Sequence, residues 1–280
     1  MTLTLASLLL VLATMSTAQA QERVELVRAD GHTIANSDYR PSQNCLGIAI
    51  ISHGAGGTEN GYSYLAKALQ MRQWLAIVPG HQESGLSALK EHMRSKGLRS
   101  GLASLITDRQ AYLGRFMDLQ AALSYAQQIC AHKPQVLIGH SMGAATTMLA
   151  AGAHNRLQLD TPSFNFDAYI ALSPQGMGSI FPEKAWRDIQ RKVLVMTGTR
   201  DTELGGASWQ TRLDSYADMP PGCKWRAVVD AATHMSFAGN NNSAQEQRLI
   251  INTIWQFIES DRATQCPLPP SESGIELKSK

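Results

Sequence analysis

The pentad Gly139-His140-Ser141-Met142-Gly143 constrains the fold of this chain more than any other segment. Residues 134–138 before it form a short apolar run typical of a buried strand, and residues 144–151 after it are small and favour a helix. A strand, a tight turn that carries serine, and then a helix is the context in which Gly-x-Ser-x-Gly presents a nucleophilic hydroxyl. Glycines beside the serine let the strand and helix approach closely while the serine takes a strained conformation. The pentad therefore predicts that Ser141 lies at a strand end. The alternative is a chance match in a Gly-rich loop.

Short apolar runs alternate with amphipathic segments along the rest of the chain, and Asp30-Gly31 between two extended runs predicts an opening hairpin. Parallel strands are buried on both faces, so they form continuous apolar runs without polar alternation. The order of elements predicts an α/β fold with a doubly wound, mostly parallel sheet flanked by helices, in which ligands bind beyond the carboxyl ends of the strands. The predicted strands are residues 46–51, 75–78, 134–138, 168–172, 192–196 and 225–229, and the predicted helices are residues 64–72, 117–129, 144–151 and 246–259.

Size and charge limit the class of protein. The chain has 280 residues, of which 44% are hydrophobic and 17% charged, and this suits one large globular domain, which we place at residues 21–265. The net charge is +2, and no long basic or acidic run points to nucleic acid or to an anionic membrane as a partner. Residues 266–280 contain three prolines with several Ser, Glu and Lys residues, which predicts a disordered tail.

The first twenty residues have the features of an export signal. Residues 3–13 are apolar, and Ala18-Gln19-Ala20 fits the rule for cleavage after small residues, although no Lys or Arg precedes the apolar run. Residues 1–20 are therefore predicted to be a signal peptide, with a secreted or periplasmic protein that begins at Gln21. A membrane anchor is the alternative, but the run is too short to span a bilayer comfortably.

Three residues after predicted strands have the chain order of a catalytic triad. A serine hydroxyl needs a neighbouring base to attack a carbonyl, and the base needs a carboxylate that fixes its tautomer. His234 is the histidine that follows both Ser141 and the strand-end Asp201, so we expect Ser141 as nucleophile, His234 as base and Asp201 as acid. An N-cap role is the alternative for Asp201. Asp230 is a competing acid, but it lies too close to His234 on the same strand end.

A Gly-rich loop follows the predicted strand at residues 46–51. The loop, Ser52-His53-Gly54-Ala55-Gly56-Gly57, can bring backbone N–H groups close to a substrate. We predict an oxyanion hole formed by the N–H groups of Met142 and Ala55, with Gly54 as the fallback for Ala55. The segment lacks the G-x-G-x-x-G spacing of a dinucleotide site, and the chain has neither H-E-x-x-H nor C-x-x-C, so we expect no cofactor and no catalytic metal.

The two glycine motifs, with Asp201 and His234 in this order, resemble the α/β-hydrolase family over most of the mature chain. The segment 233–239 is similar to exported bacterial esterases of the dienelactone-hydrolase-like, acetylhydrolase-like and cutinase-like groups. Cutinase-like enzymes have a bulky aromatic residue where Ala55 stands, and true dienelactone hydrolases have cysteine where Ser141 stands. Dehalogenases and soluble epoxide hydrolases have aspartate at that position, so their chemistry is disfavoured.

The resemblance implies a serine hydrolase that cleaves a small-molecule carboxylic ester through an acyl-enzyme, with no stable membrane anchor and an oligomeric state that stays open. A peptidase or amidase on the same fold, and a non-catalytic binding protein that kept the fold, are the alternatives.

Export favours disulfides among the four cysteines over four buried free thiols. Sequence alone allows three pairings. The predicted fold favours Cys45 with Cys130 and Cys223 with Cys266, at the end of the sheet away from the active face.

Residues 82–108 are long for a connection between a strand and a helix, which predicts a lid or binding loop over Ser141. Gly54, Met177 and Trp209 are the candidate substrate contacts, although core packing explains a Met or Trp about as well. Such a mixed, modest pocket suggests short to medium acyl chains.

Overall fold

The computed structural model describes residues 21–202, 205–240, 242–260 and 266–280, and the predicted signal peptide lies outside these ranges. The described residues form one nine-stranded sheet with the order β1-β2-β4-β3-β5-β6-β7-β8-β9. The six strands from β4 to β8 in this order are parallel, whereas β1, β2 and β9 are antiparallel to their neighbours. The strands are β1 (Glu22–Val27), β2 (Thr33–Tyr39), β3 (Gly47–Ser52), β4 (Trp74–Pro79), β5 (Gln135–His140), β6 (Ala168–Leu172), β7 (Val193–Arg200), β8 (Lys224–Thr233) and β9 (Ile275–Ser279).

Helices cover both faces of this sheet, as a doubly wound arrangement requires. Side chains of α4 and α5 belong to the apolar cluster on one face, and those of α1 and α7 belong to the cluster on the other. The helices are α1 (Ser63–Gln70), α2 (Leu86–Lys96), α3 (Leu98–Ile106), α4 (Arg109–Ile129), α5 (Met142–Ala150), α6 (Asp214–Asp218) and α7 (Ala244–Glu259).

The central strands are apolar throughout because both of their faces are buried. In β3, Ile48 and Ile50 pack into one apolar cluster, and Ala49 and Ile51 pack into the other. Successive side chains of a strand point to opposite faces, so each layer receives alternate residues of the same run. The predicted α/β architecture with a mostly parallel, doubly wound sheet is confirmed, and the carboxyl ends of the parallel strands meet at one edge.

Two segments have more regular structure than the sequence predicted. Residues 82–108, predicted as a lid or binding loop, form a 3₁₀ turn (Gln82–Ser84) followed by α2 and α3. Residues 266–280 are not a disordered tail, because β9 pairs antiparallel with β8 from Val229↔Ile275 to Trp225↔Ser279. This pairing satisfies the backbone of β8 at what would otherwise be an open sheet edge, which outweighs the weak propensity of a Pro-containing segment.

Two disulfides lie at the end of the sheet opposite the carboxyl ends of the parallel strands. Cys45 is bonded to Cys130 and Cys223 to Cys266, with Cα–Cα separations of 5.7 and 5.5 Å. These are the two pairings that the predicted fold favours. Cys45 precedes β3 and Cys130 follows α4, while Cys223 precedes β8 and Cys266 follows α7, so both bridges lie away from the carboxyl ends of the strands.

Within the described ranges, no helix combines the length and the hydrophobicity that a membrane span requires.

Candidate active site

Ser141 occupies a strained turn between β5 and α5. Its backbone has φ 55° and ψ −119°, outside the conformations that non-glycine residues usually adopt. The turn is held by the Ser141 N–H, which donates to the carbonyl oxygen of Leu172 at 3.0 Å. A Cβ atom on Gly143 would collide with the Ser52 carbonyl, and one on Gly139 would collide with the Gly143 carbonyl. The glycines therefore permit the close packing of strand and helix that presents Ser141.

His234 and Asp201 meet at the tips of β8 and β7. The Nδ1 atom of His234 lies 3.0 Å from Oδ1 of Asp201. The Asp201 side chain is fully buried, whereas that of His234 is 31% exposed. Thr197 donates its hydroxyl to the other Asp201 oxygen at 2.9 Å. Burial alone would raise the pKa of Asp201, but the hydrogen bond from His234 and the charge of Arg212 outweigh it, so the pKa lies below its usual value. Asp201 is thus an ionised acceptor for the imidazole N–H.

Arg212 supplies the cation behind this carboxylate. Its Nε atom lies 2.8 Å from Asp201 Oδ1, and its side chain is 4% exposed. The guanidinium also donates to four backbone carbonyls, at 2.9 to 3.2 Å. These carbonyls belong to Asp201, Ser173, Pro174 and Thr202. One buried side chain therefore fixes the loops that follow β6 and β7 and neutralises the acid between them.

Ser141 and His234 border the same cavity. Within the described ranges Ser141 Oγ has no hydrogen bond to His234, and His234 Nε2 has no protein partner. Bonds between nucleophile and base are often long in unliganded enzymes and tighten when substrate binds. Because Nδ1 is engaged by Asp201, Nε2 is the nitrogen left for the Ser141 hydroxyl.

The Gly-rich loop lies against Ser141. A Cβ on Gly54 would be 3.1 Å from the Ser141 Cβ atom. The Gly54 N–H donates to the Tyr62 hydroxyl at 3.1 Å, so Gly54 is not available as the fallback oxyanion donor. In the described part of the chain, the N–H groups of Ala55 and Met142 have no protein acceptor. The structure thus leaves two backbone donors near Ser141, at the positions that the sequence analysis selected.

A relay of hydrogen bonds joins the Gly-rich loop to the His234 loop. The Tyr62 hydroxyl lies 2.7 Å from His140 Nδ1, and His140 Nε2 lies 3.0 Å from the His234 carbonyl oxygen. Burial lowers the pKa of His140 well below its usual value, so the ring is neutral, and burial raises the pKa of Tyr62 to about 12. Tyr62 therefore donates to Nδ1, and the N–H at Nε2 donates to the carbonyl. His140, which stands between Gly139 and Ser141 in the pentad, thus connects the Gly-rich loop to the His234 loop.

A second Asp–His–Ser arrangement lies beneath the Gly-rich loop. Asp118 Oδ2 is 2.7 Å from His81 Nδ1, and His81 Nε2 is 2.9 Å from Ser52 Oγ. Each of these side chains is buried, and none of them borders the cavity next to Ser141. Burial raises the pKa of Asp118 to about 7 and, with the charge of Arg115, lowers that of His81 well below its usual value. This cluster is an internal polar support and offers no accessible nucleophile.

Arg115 links that cluster to the loop. Its Nη1 donates to Ser52 Oγ at 3.1 Å and to the His53 carbonyl at 2.7 Å, and its Nε donates to Ser84 Oγ at 2.8 Å. Burial lowers the pKa of Arg115 to about 10, so the side chain is still charged at neutral pH. Because Gly56 N–H also donates to the Ser84 carbonyl, the loop is held from below along its length.

The cavity next to Ser141 has a volume of about 780 Å³. Leu102, Ala103 and Ile106 of α3 form one apolar wall, so residues 82–108 do contribute to the site, as helices. The expected contacts Met177 and Trp209 do not border this cavity among the described residues. Met177 is 54% exposed, and Trp209 packs against the apolar core. The remaining lining residues include Gly54, Ala55, Tyr62, Gln175, Thr202, Met235, Ala238 and Asn240.

Sequence reasoning missed Tyr62, Arg115 and Arg212, and it gave no role to Ser173, which directly follows a predicted strand. All four act through side chains that are buried in the fold, and no motif surrounds them in the sequence. The one available signal is that Arg115 and Arg212 are charged residues in segments that otherwise pack against apolar layers. In the described residues, no group of three or more His, Cys, Asp or Glu side chains is arranged to hold a metal ion.

Known proteins resemble this chain in sequence over part of its length. The sequence model of the Hydrolase_4 family, described as serine aminopeptidase, S33, matches residues 43–176. The monoglyceride lipase of Rattus norvegicus is 28% identical over 154 residues, which cover 55% of this chain and 43% of the rat protein. The monoglyceride lipase of Mus musculus is 26% identical over 165 residues, 59% of this chain and 46% of the mouse protein. The chain thus matches less than half the length of these curated relatives.

Solved structures share the fold more completely. An α/β serine hydrolase homologue from Coxiella burnetii has a TM-score of 0.57 and 17% identity, covering 82% of this chain and 96% of its own. The esterase domain of a Rhodothermus marinus protein has a TM-score of 0.57 and 15% identity, covering 87% and 99%. At such identities the likeness concerns the fold alone, whereas the matching family segment includes Ala55 and Ser141. Sheet topology and sequence agree: the chain has the α/β-hydrolase fold and is similar in sequence to the Hydrolase_4 family over residues 43–176.

Proposed function

We propose that this protein is a serine hydrolase that cleaves carboxylic esters through an acyl-enzyme. The observation that carries the proposal is the hydrogen bond of 3.0 Å between His234 Nδ1 and the buried, ionised Asp201. His234 and Ser141 border the same cavity. An imidazole oriented in this way has its second nitrogen free to take a proton from a serine hydroxyl.

The reaction follows from these positions. Ser141 Oγ attacks the ester carbonyl carbon while His234 Nε2 takes its proton, and the N–H groups of Ala55 and Met142 bind the oxygen that becomes negative. The bond between the acyl carbon and the alcohol oxygen then breaks, and His234 returns its proton to the leaving alcohol. A water molecule next attacks the acyl-enzyme and gives a proton to His234. Ser141 regains that proton as the carboxylic acid leaves.

The family description raises the aminopeptidase alternative, and the cavity argues against it. An aminopeptidase has to bind the α-ammonium group of its substrate, which calls for a nearby carboxylate. Among the described residues, no Asp or Glu borders the cavity, and the lining is mainly glycine and apolar side chains. A neutral ester suits such a lining better than a charged peptide terminus. The names of the rat and mouse relatives favour the same choice.

The size of the apolar wall suggests short to medium acyl chains. The wall from Leu102 to Ile106 is about 6 Å long at the rise of an α-helix. That length matches about four carbon–carbon bonds of about 1.5 Å each. We therefore expect p-nitrophenyl butyrate to be cleaved faster than the palmitate. Faster cleavage of the palmitate would contradict this part of the proposal.

Purified residues 21–280 test the main proposal. The wild-type chain should hydrolyse p-nitrophenyl butyrate and react with a fluorophosphonate at Ser141, and Ser141→Ala should lower kcat by about 10⁴-fold or more. Asp201→Asn should lower kcat to a similar degree, because the imidazole loses the partner that fixes its tautomer. Asp230→Asn is the matched control. Asp230 lies in β8, four residues before His234, but its Oδ1 accepts from Thr199 and not from His234. No labelling of Ser141, or faster turnover of leucine p-nitroanilide than of the ester, would reject the proposal.

We also propose that the protein acts outside the cytoplasm, as a secreted or periplasmic enzyme. Two disulfides support this location, because such bonds persist in oxidising compartments. Sequencing the amino terminus of the exported protein checks the proposal. Cleavage after Ala20 is expected, and an intact Met1 in a cytoplasmic fraction would contradict it.

A further inference from the structure

A second serine, Ser173, occupies a strained position at a strand end. It directly follows β6, is fully buried and has φ 52°, in the left-handed region that favours glycine. Its N–H donates to the Met196 carbonyl at 2.7 Å, and its own carbonyl accepts from Arg212 Nη1 at 3.2 Å. Backbone strain persists where surrounding contacts enforce it, and it is concentrated at functional sites.

The strained backbone places the Ser173 hydroxyl within hydrogen-bonding distance of His234, the candidate base. Ser173 Oγ lies 2.6 Å from His234 Nδ1, the same nitrogen that lies 3.0 Å from Asp201 Oδ1. The Ser173 hydroxyl also helps to hold the pKa of Asp201 below its usual value. A hydrogen on Nδ1 therefore has two oxygen acceptors, at 2.6 and 3.0 Å.

We propose that Ser173 is a positioning residue of the ester hydrolase, whose hydroxyl accepts from the His234 Nδ1–H and donates to Asp201. This arrangement holds His234 in the tautomer that leaves Nε2 free. It also gives the imidazolium a second acceptor when Nε2 takes the Ser141 proton. The inference rests on the proposed function, because it assigns Ser173 a part in that same reaction.

The opposite assignment of hydrogens fits the structure less well. If Ser173 donated into a bare Nδ1, the imidazole hydrogen would lie on Nε2 and His234 could not act as a base. The bare nitrogen would then face the ionised Asp201 oxygen at 3.0 Å with no hydrogen between them. A hydrogen on Nδ1 satisfies both oxygens, and the Ser173 hydrogen then has Asp201 as its acceptor.

Ser173→Gly and Ser173→Ala in the mature chain test this inference. Glycine adopts positive φ without strain, so Ser173→Gly removes the hydroxyl and is expected to keep the fold, with a thermal midpoint no lower than that of the wild type. Both variants should lower kcat for p-nitrophenyl butyrate about tenfold, as for one hydrogen bond to a charged group, with KM little changed. The rate at which a fluorophosphonate labels Ser141 should fall in parallel.

The pH profile separates positioning from a purely structural role. The titratable and charged groups that face His234 among the described residues are Asp201, with Arg212 behind it, and the neutral His140 ring at 4.7 Å. Loss of the Ser173 acceptor makes the imidazolium harder to form, so the acidic limb of kcat/KM should move to lower pH in Ser173→Gly. Thr197→Val is the matched control, because it removes a hydroxyl that donates to Asp201 without touching His234. It should leave that limb in place.

The outcomes are distinct. Wild-type kcat and an unmoved acidic limb in Ser173→Gly would overturn the inference and leave the proposed function standing. A higher kcat in that variant would mean that Ser173 donates into Nδ1, which also overturns it. An equal shift in Thr197→Val would assign the effect to Asp201 alone and reject the role of Ser173. A wild-type chain that neither cleaves the ester nor is labelled would reject both proposals.

Discussion

Replacing Arg212 with methionine should remove about 4 kcal/mol from the free energy of unfolding. Methionine keeps most of the apolar length of the side chain but leaves the fully buried Asp201 carboxylate without its cation. Breaking a buried ion pair by removing one partner costs about 3–5 kcal/mol. The variant also loses four hydrogen bonds to backbone carbonyls, which places the expected loss in the middle of that range or above. For a domain of this size, such a loss lowers the thermal midpoint by roughly 8–16 °C.

Thermal unfolding followed by circular dichroism at pH 7 measures the effect. Arg212→Lys keeps the positive charge but loses the planar guanidinium with its several N–H donors. Its free energy of unfolding should therefore lie between those of Arg212→Met and the wild type. Arg187→Met is the matched control, because Arg187 pairs with Asp188 at 3.5 Å on an exposed surface and its removal should leave the midpoint unchanged. A loss below about 1 kcal/mol in Arg212→Met would refute the claim that Arg212 holds the buried carboxylate in place.

The difference in thermal midpoint between the wild type and Arg212→Met should depend on pH, with a sign that follows from the ionisation of Asp201. Its pKa is lowered in the folded state, so its ionisation stabilises the fold above the unfolded value, and that contribution is lost as pH falls through the folded pKa. Arg212 causes part of the lowering. The difference in midpoint between wild type and Arg212→Met should therefore narrow as pH falls below about 4. A constant difference from pH 7 to pH 3 would contradict the assignment.

Three further predictions concern other parts of the fold. Tyr62→Phe removes the hydroxyl between the Gly-rich loop and His140. The variant should lose about 1–3 kcal/mol of the free energy of unfolding, measured in urea, and its kcat should fall. Unchanged values would contradict a role for the relay. A double Cys45→Ala, Cys130→Ala variant should lose roughly 4–5 kcal/mol by the loop-entropy estimate for a sequence separation of 85, again by urea unfolding, while esterase activity per folded molecule should stay near wild type. Deleting residues 274–280 removes β9 and exposes the edge of β8, so light scattering should detect aggregation at concentrations where the full chain is monodisperse.

The central sheet was predictable because its strands are buried on both faces. Continuous apolar runs such as residues 46–51 have few other structures open to them, and the order of runs and helices then determines a parallel sheet. The placement of Ser141, Asp201 and His234 at strand ends follows from the same reasoning. One edge element, β9, lay outside its reach. β9 is a short strand whose stability comes from pairing with β8, and this tertiary contact leaves little trace in its own sequence.

The helices over the site were missed for a different reason. α2 has no buried residues, and Gly97 at φ 79° separates it from α3, so the two short helices resemble one interrupted connection, although Leu98, Leu102, Leu105 and Ile106 of α3 do recur at helical spacing. The same limit applies to the substrate contacts. Met177 and Trp209 were candidates by residue type, but the wall of the cavity comes from α3, which could be recognised only once its helix was placed.

The relay from Gly54 through Tyr62 and His140 to the His234 carbonyl has a consequence for thermal motion. Three consecutive hydrogen bonds, the first two of them buried, join the loop of the proposed oxyanion donor Ala55 to the segment that holds the proposed base. A displacement of either segment must be followed by the other or must break one of these hydrogen bonds. The two segments should therefore fluctuate together, and a ligand that immobilises one of them should reduce the motion of the other.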